Sequence, residues 1–408
     1  MRFRTARSLP GGLLAAALTA SVTLGLTAPP RPADAAPQPA RRGTVVSAER
    51  VQNLSAGKVR TALADDGIDA SRVRYGVTAY RIVYRTIDVA GRPTTASGLL
   101  VLPRDGERNR LRVVAYTHGT MATRSAAPSV DDGGRSDEGL LFASAGYAAV
   151  EPDYLGLGVG PGRHPYMHAA SETTATLDML RASFAFARRP LDPRVLMTGF
   201  SQGGQAAMAV GKALRAGADP RFRLAAAAPV SGPYALRDAE IPAIFDGTLD
   251  PRTSAFYLAY FFVAWNRLYH LYDRPTEIFQ APYARTVESL FDGSHGEEDI
   301  VMGLPGSPEE LLTPHGLDML RHPTGRLAAA LAVNDATCAG WTRGARVRIF
   351  AARGDEQVAF TNAERCRADL AAAGVRAPLI DLGDLQHNDS GRRGLVAALA
   401  WFQRIARP

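Results

Sequence analysis

The stretch Arg194-Val195-Leu196-Met197-Thr198-Gly199-Phe200-Ser201-Gln202-Gly203, followed by the alanine-rich run Ala206–Leu214, decides the reading of this 408-residue chain. A short apolar strand enters G-x-S-x-G and a helix leaves it. The bare pattern carries little information in a chain with 39 glycines; the strand before it and the helix after it give it weight. A turn this tight has no room for side chains beside the serine, so glycines flank it. Such an elbow lifts the Ser201 hydroxyl out of the sheet and aims a helix N-terminus at it.

Outward from this elbow, strands and helices alternate. Leu111–Tyr116, Tyr147–Pro152, Leu224–Val230, Val347–Ala352 and Pro378–Leu382 read as further strands. Glu138–Ala145, a helix capped by Ser171, Asn362–Ala373 and Arg393–Ile405 read as helices between or after them. That alternation predicts an α/β fold with a mostly parallel central sheet covered on both faces. Upstream, Val77–Val89 and Thr94–Leu102 form an antiparallel hairpin around Gly91-Arg92-Pro93. A flexible leader at 36–45 precedes a helical stretch with Val51, Leu54, Val59 and Leu63 on one side. The predicted division is 1–35 signal peptide, 36–75 leader and helix, 76–234 with 342–408 as the α/β core, and 235–341 as an inserted helical cap.

The insertion is rich in rings. Between Pro251 and Phe291 lie 11 of the chain's 31 aromatic residues. Phe256, Tyr257, Tyr260, Phe261, Phe262, Trp265, Tyr269 and Tyr272 crowd one predicted helix, in which Asn266, Arg267 and His270 argue against a membrane span. These rings serve either as the core of a small helical subdomain or as the apolar underside of a cap over a site.

A nucleophilic serine needs a base and an acid that orients it. His387 is the only histidine after the last two predicted strands begin, and it follows the final one. Arg353-Gly354-Asp355-Glu356 follows the strand before that, so Asp355 is the expected acid and Glu356 its rival. The expected oxyanion donors are the backbone amides of Gln202, at the helix start, and of Thr120 in Thr117-His118-Gly119-Thr120, with Met121 the alternative. His164 and His168 with Asp153 invite a metal reading; their glycine-rich loop favours packing. The serine mechanism itself needs neither a metal nor another cofactor.

These residues resemble the α/β-hydrolase superfamily from about Leu111 onward, through His118-Gly119-Thr120, Asp153-Tyr154-Leu155-Gly156, Gly199–Gly203, Gly354-Asp355 and His387. The run from His164-Pro165-Tyr166 to Arg181-Ala182 is most similar to the secretory lipase family. The resemblance implies a Ser201–His387–Asp355 triad, oxyanion amides at Thr120 and Gln202, a helical cap inserted after the sixth strand, and a small-molecule or lipid ester substrate. Two alternatives stay open. One is a peptidase on the same fold, with Glu240, Asp246 or Asp250 holding a substrate amino group; the other is a binding protein that keeps only the shell. The apolar insertion points to medium or long acyl chains.

The composition is that of a globular chain, 46 % hydrophobic and 21 % charged. The formal charge of +7 includes Arg2, Arg4, Arg7 and Arg31 near the N-terminus, and no basic run is interleaved with aromatics, which argues against nucleic-acid binding. Those N-terminal arginines, the apolar stretch Leu13–Leu26 and Ala33-Asp34-Ala35 read as a signal peptide cleaved after Ala35, leaving a secreted chain without a transmembrane segment. In that setting the two cysteines, Cys338 and Cys366, are expected to pair as a disulfide.

Overall fold

A computed structural model describes residues 41–405; the expected signal peptide lies outside them. Nine strands form one sheet: β1 Val45–Leu54, β2 Val77–Ile87, β3 Pro93–Pro103, β4 Leu111–Thr117, β5 Ala148–Pro152, β6 Leu191–Phe200, β7 Arg223–Val230, β8 Ile349–Ala351 and β9 Leu379–Asp381. Their spatial order is β1-β2-β3-β5-β4-β6-β7-β8-β9. The first three are antiparallel, and β3 meets β5 antiparallel as well. From β5 to β9 every pairing is parallel.

The parallel strands have apolar residues on both faces, as a sheet covered on both sides requires. Val113, Ala115, Val195 and Met197 pack toward helices α3 Ala169–Phe186 and α4 Gln202–Arg215 and the helix Phe360–Ala372. Val114, Tyr116 and Leu196 face the other way, toward α1 Ala56–Asp65, α2 Asp137–Ser144 and the final helix His387–Ile405. After β4 the chain lays β5 on one side, then crosses to place β6 on the other. The crevice beyond the C-terminal ends of β4 and β6 is therefore a topological switch point, where open α/β sheets place their ligands.

Four local expectations change. Val51 and Leu54 belong to the edge strand β1, not to a helix; pairing with β2 overrides a spacing that also suits a helix. The helix expected to be capped by Ser171 starts at Ala169, with His168 in the cap position. The last helix begins at His387 rather than Arg393, so this histidine opens the helix. Tyr272 lies past the end of the helix Pro251–Tyr269, which stops at His270 in a left-handed conformation (φ 55°).

Between β7 and β8 the chain forms a series of helices, the longest being Pro251–Tyr269. Phe262, Trp265, Phe279, Leu311 and Leu331 are fully buried there, in a cluster that also takes in Ala122, Tyr166 and Met167 from the loops above the sheet. Cys338 and Cys366 form a disulfide, which ties the end of this region to the helix Phe360–Ala372. Among the described residues no helix is long and apolar enough to cross a membrane.

Candidate active site

Ser201 sits between β6 and α4 with φ 57° and ψ −125°, a backbone conformation disfavoured for any residue with a Cβ. Its amide donates to the Val230 carbonyl (3.0 Å) and its carbonyl accepts from Gly204 N–H (2.8 Å), so the bend is held from both sides. The flanking glycines have a steric reason. A Cβ on Gly199 would strike the Gly203 carbonyl, and one on Gly203 would strike that of Thr117. The Thr117 hydroxyl donates to the same Gly203 carbonyl (2.7 Å), which locks the elbow onto the end of β4.

Three loops at this edge of the sheet bring Ser201, His387 and Asp355 together. Ser201 Oγ lies 2.9 Å from His387 Nε2, and His387 Nδ1 lies 2.9 Å from both oxygens of Asp355. With Nδ1–H donating to the carboxylate, Nε2 presents its lone pair to the serine hydroxyl. Asp355 Oδ1 also accepts the amides of Gln357 (3.0 Å) and Val358 (2.9 Å), which fixes the carboxylate. All three side chains are buried. Glu356, the rival acid, has another partner: its Oε2 accepts the backbone N–H of His387 (2.9 Å) at the open end of the last helix.

The expected oxyanion amides flank the serine. Gln202 is the first residue of α4, so its N–H is among those a helix start leaves unpaired. Gly119 brings the other loop close: a Cβ there would stand 3.5 Å from that of Ser201. Thr120 follows it, and its hydroxyl lies 3.1 Å from that of Tyr166.

The histidines considered for a metal have other partners. His164 Nδ1–H donates to the Leu155 carbonyl (2.9 Å), and burial lowers its pKa to about 3. His168 lies 3.0 Å from the Ser171 hydroxyl. Asp153 accepts from both Ser97 and Ser129, and among the described residues no cluster suited to a metal ion is present. His118, in the Thr120 loop, is also held neutral, with burial lowering its pKa to about 4.

A network behind the elbow was not foreseen. The Gln202 side chain donates to His164 Nε2 (3.1 Å) and to Glu172 Oε1 (2.6 Å), deep in the protein. Burial pushes Glu172 up to about 8, so it carries a proton at neutral pH. The available signal was an acidic residue within the first turns of a helix whose neighbours are all apolar or small.

Two cavities meet at Ser201. One is a cleft of about 700 Å³ bordered by His387 and Asn388, with Asp66, Asp131, Asp132, Asp137, Glu138 and Glu297 facing Arg135 and Arg252. The other is a pocket of about 60 Å³ walled by Leu236, Ile241, Ile244, Leu258, Phe261 and Leu320, with Glu240 at its margin. Thr120, Tyr257 and Gln357 border both, and the Tyr257 hydroxyl donates to Gln357 Oε1 (2.7 Å), joining the insertion to the Asp355 loop. Of the carboxylates considered for a peptidase, Asp250 caps the helix Pro251–Tyr269 and Asp246 accepts from Thr248. Of the three, only Glu240 borders either of these two cavities. Its Oε2 accepts from Ala359 N–H and Asn362 Nδ2, and burial pushes it up to about 8.

Solved structures with the same architecture include a protein of Legionella pneumophila assigned as a hydrolase, at 26 % identity and a TM-score of 0.81, over 89 % of this chain and 98 % of that one. The rice cell wall degrading esterase LipA of Xanthomonas oryzae matches at 28 % identity and 0.77, over 90 % and 98 %. The chain has the α/β-hydrolase fold. A more distant match, Candida antarctica lipase A, shares that fold at 15 % identity and a TM-score of 0.62, over 85 % of this chain and 78 % of the lipase. No protein-family profile and no curated protein sequence matches. Within this α/β-hydrolase fold, Ser201, Asp355 and His387 follow one another along the chain.

Proposed function

We propose that the chain is a secreted serine carboxylic ester hydrolase, a lipase or esterase. The observation that carries this reading is the hydrogen-bonded series from Ser201 through His387 to Asp355, with 2.9 Å at each contact. The esterase among the structures of the same fold supports it.

In this mechanism Ser201 Oγ attacks the ester carbonyl carbon while His387 Nε2 takes its proton. Asp355 holds the ring in the tautomer that makes this transfer possible and stabilises the imidazolium that results. The carbonyl oxygen becomes an oxyanion facing the Thr120 and Gln202 amides. The carbon–oxygen bond to the alcohol then breaks, His387 returns the proton to the departing oxygen, and an acyl-Ser201 ester remains. Water enters, His387 removes its proton, and attack on the acyl carbon releases the acid and restores Ser201. No step calls for a metal or another cofactor. The Cys338–Cys366 disulfide supports an oxidising destination, which fits export with cleavage after Ala35.

Hydrolysis of p-nitrophenyl esters by the purified chain beside Ser201→Ala tests the reading. Ester cleavage that disappears in the variant is the expected result. Cleavage of p-nitroanilides in preference to esters would move the assignment to the peptidase, and inertness toward both to a binding protein.

A further inference from the structure

The two cavities at Ser201 differ in size and polarity, and the triad decides which part of a substrate occupies each. His387 Nε2 must return a proton to the departing alcohol oxygen, so the alcohol lies on the His387 side of the serine. His387 borders the cleft of about 700 Å³. The small pocket, bordered by Ser201, Gln202 and Thr120 but not by His387, is left for the acyl chain. We propose, building on the ester-hydrolase reading, that the enzyme selects esters of short acids with bulky polar alcohols that carry no negative charge.

Size sets the acyl limit. An apolar cavity of ~150 Å³ holds a benzene ring; a pocket of about 60 Å³ accommodates a chain of only a few carbons. The ring-rich insertion suggested longer chains, but its aromatics largely pack on one another. Tyr260 stacks on Tyr166 (4.2 Å between centroids) and on Phe291 (4.6 Å), and Phe261 lies 4.3 Å from Trp265. Ile244, Leu258 and Leu320 help to close the pocket.

Charge sets the alcohol preference. Carboxyl groups outnumber guanidiniums along the cleft even with Asp137 pushed up to about 7 by burial, and Arg135 is already engaged by Asp66 (3.1 Å) and Asp132 (3.1 Å). Their shared field disfavours an anionic leaving group and attracts a cationic one, most strongly at low ionic strength.

Two substrate series test the proposal. With p-nitrophenyl esters of two to sixteen carbons, kcat/KM is expected to peak at two to four carbons and to fall at least tenfold by eight. Ile244→Ala, which opens the pocket wall, is expected to move the peak to longer chains. With acetyl esters in 10 mM buffer, acetylcholine is expected to be favoured over 4-acetoxybenzoate at least tenfold after correction for each ester's alkaline hydrolysis rate. That ratio is expected to shrink in 0.5 M salt and in Asp131→Asn/Glu297→Gln. A peak at eight carbons or beyond, or equal use of the cationic and anionic acetates, overturns the proposal while Ser201-dependent activity keeps the ester-hydrolase reading intact. Absence of Ser201-dependent cleavage of any ester overturns both.

Discussion

The elbow between β6 and α4 and the helical insertion between β7 and β8 are built on opposite principles. At the elbow, backbone geometry dictates the residues: Gly199 and Gly203 are there because a Cβ would collide with a carbonyl, and Ser201 is held at a positive φ by main-chain hydrogen bonds. In the insertion, side-chain volume dictates the structure, with buried rings such as Phe262 and Trp265 filling a core that short helices enclose. On the proposed function, reactivity rests with the sheet edge and the walls of the small pocket largely with the insertion, so the two should respond differently to substitution.

The largest expected effect lies at the sheet edge. Asp355→Asn is expected to lower kcat by about 10³–10⁴-fold, because the histidine loses the partner that fixes its tautomer. Glu356→Gln, one residue away, should leave kcat within a few-fold and cost about 1 kcal/mol of stability, since it weakens charge-assisted contacts to a helix end and to the Gln357 side chain. Equal losses of kcat in the two variants would erase the distinction between orienting acid and helix-end acceptor.

Damage to the insertion should have the reverse signature. Phe262→Ala removes a fully buried ring and is expected to cost about 3–5 kcal/mol in denaturant unfolding. Protein that remains folded should still react at Ser201. Loss of that reactivity in the folded fraction would show that the two regions are not separable.

The disulfide ties the end of the insertion to the helix Phe360–Ala372. Cys338 and Cys366 are 28 residues apart, and by the chain-entropy model replacing both with alanine is expected to cost about 3–4 kcal/mol. Reductant should lower the melting temperature of the wild type and leave the double variant unchanged.

Much of the sheet edge is legible in the amino-acid sequence. Ser201, His387 and the acid segment follow strands whose apolar runs are visible there, and their order along the chain completes the assignment. The choice of Asp355 over Glu356 is not legible, because one residue of register decides which carboxylate faces the ring. The strand β1 escapes detection because it is an edge strand with mostly exposed side chains, and its spacing fits a helix equally well. The sequence also marks Glu240 as acidic without showing that it borders an apolar pocket. The division of space around Ser201 is hidden for a related reason: pattern shows that the rings are buried, not whether they bury one another or leave a cavity.

A pH-dependent effect comes from Glu172 behind the elbow and Glu240 in the insertion, both raised by burial to about 8. The folded chain keeps two protons that the unfolded chain releases near the ordinary carboxyl value of 4.5. Stability therefore falls as pH rises from that value to about 8. Glu172→Gln/Glu240→Gln imitates the protonated forms and should flatten the melting temperature between pH 5 and 9. Parallel wild-type and variant curves would show that neither carboxyl is held neutral.

Ser201, activated by His387, is the proposed nucleophile. Treatment with a fluorophosphonate followed by intact-mass and peptide analysis tests it most directly. One adduct per chain is expected, located on Ser201, absent in Ser201→Ala and formed at least a hundredfold more slowly in His387→Ala. An adduct on another residue, or a wild-type chain that takes up none, would contradict it.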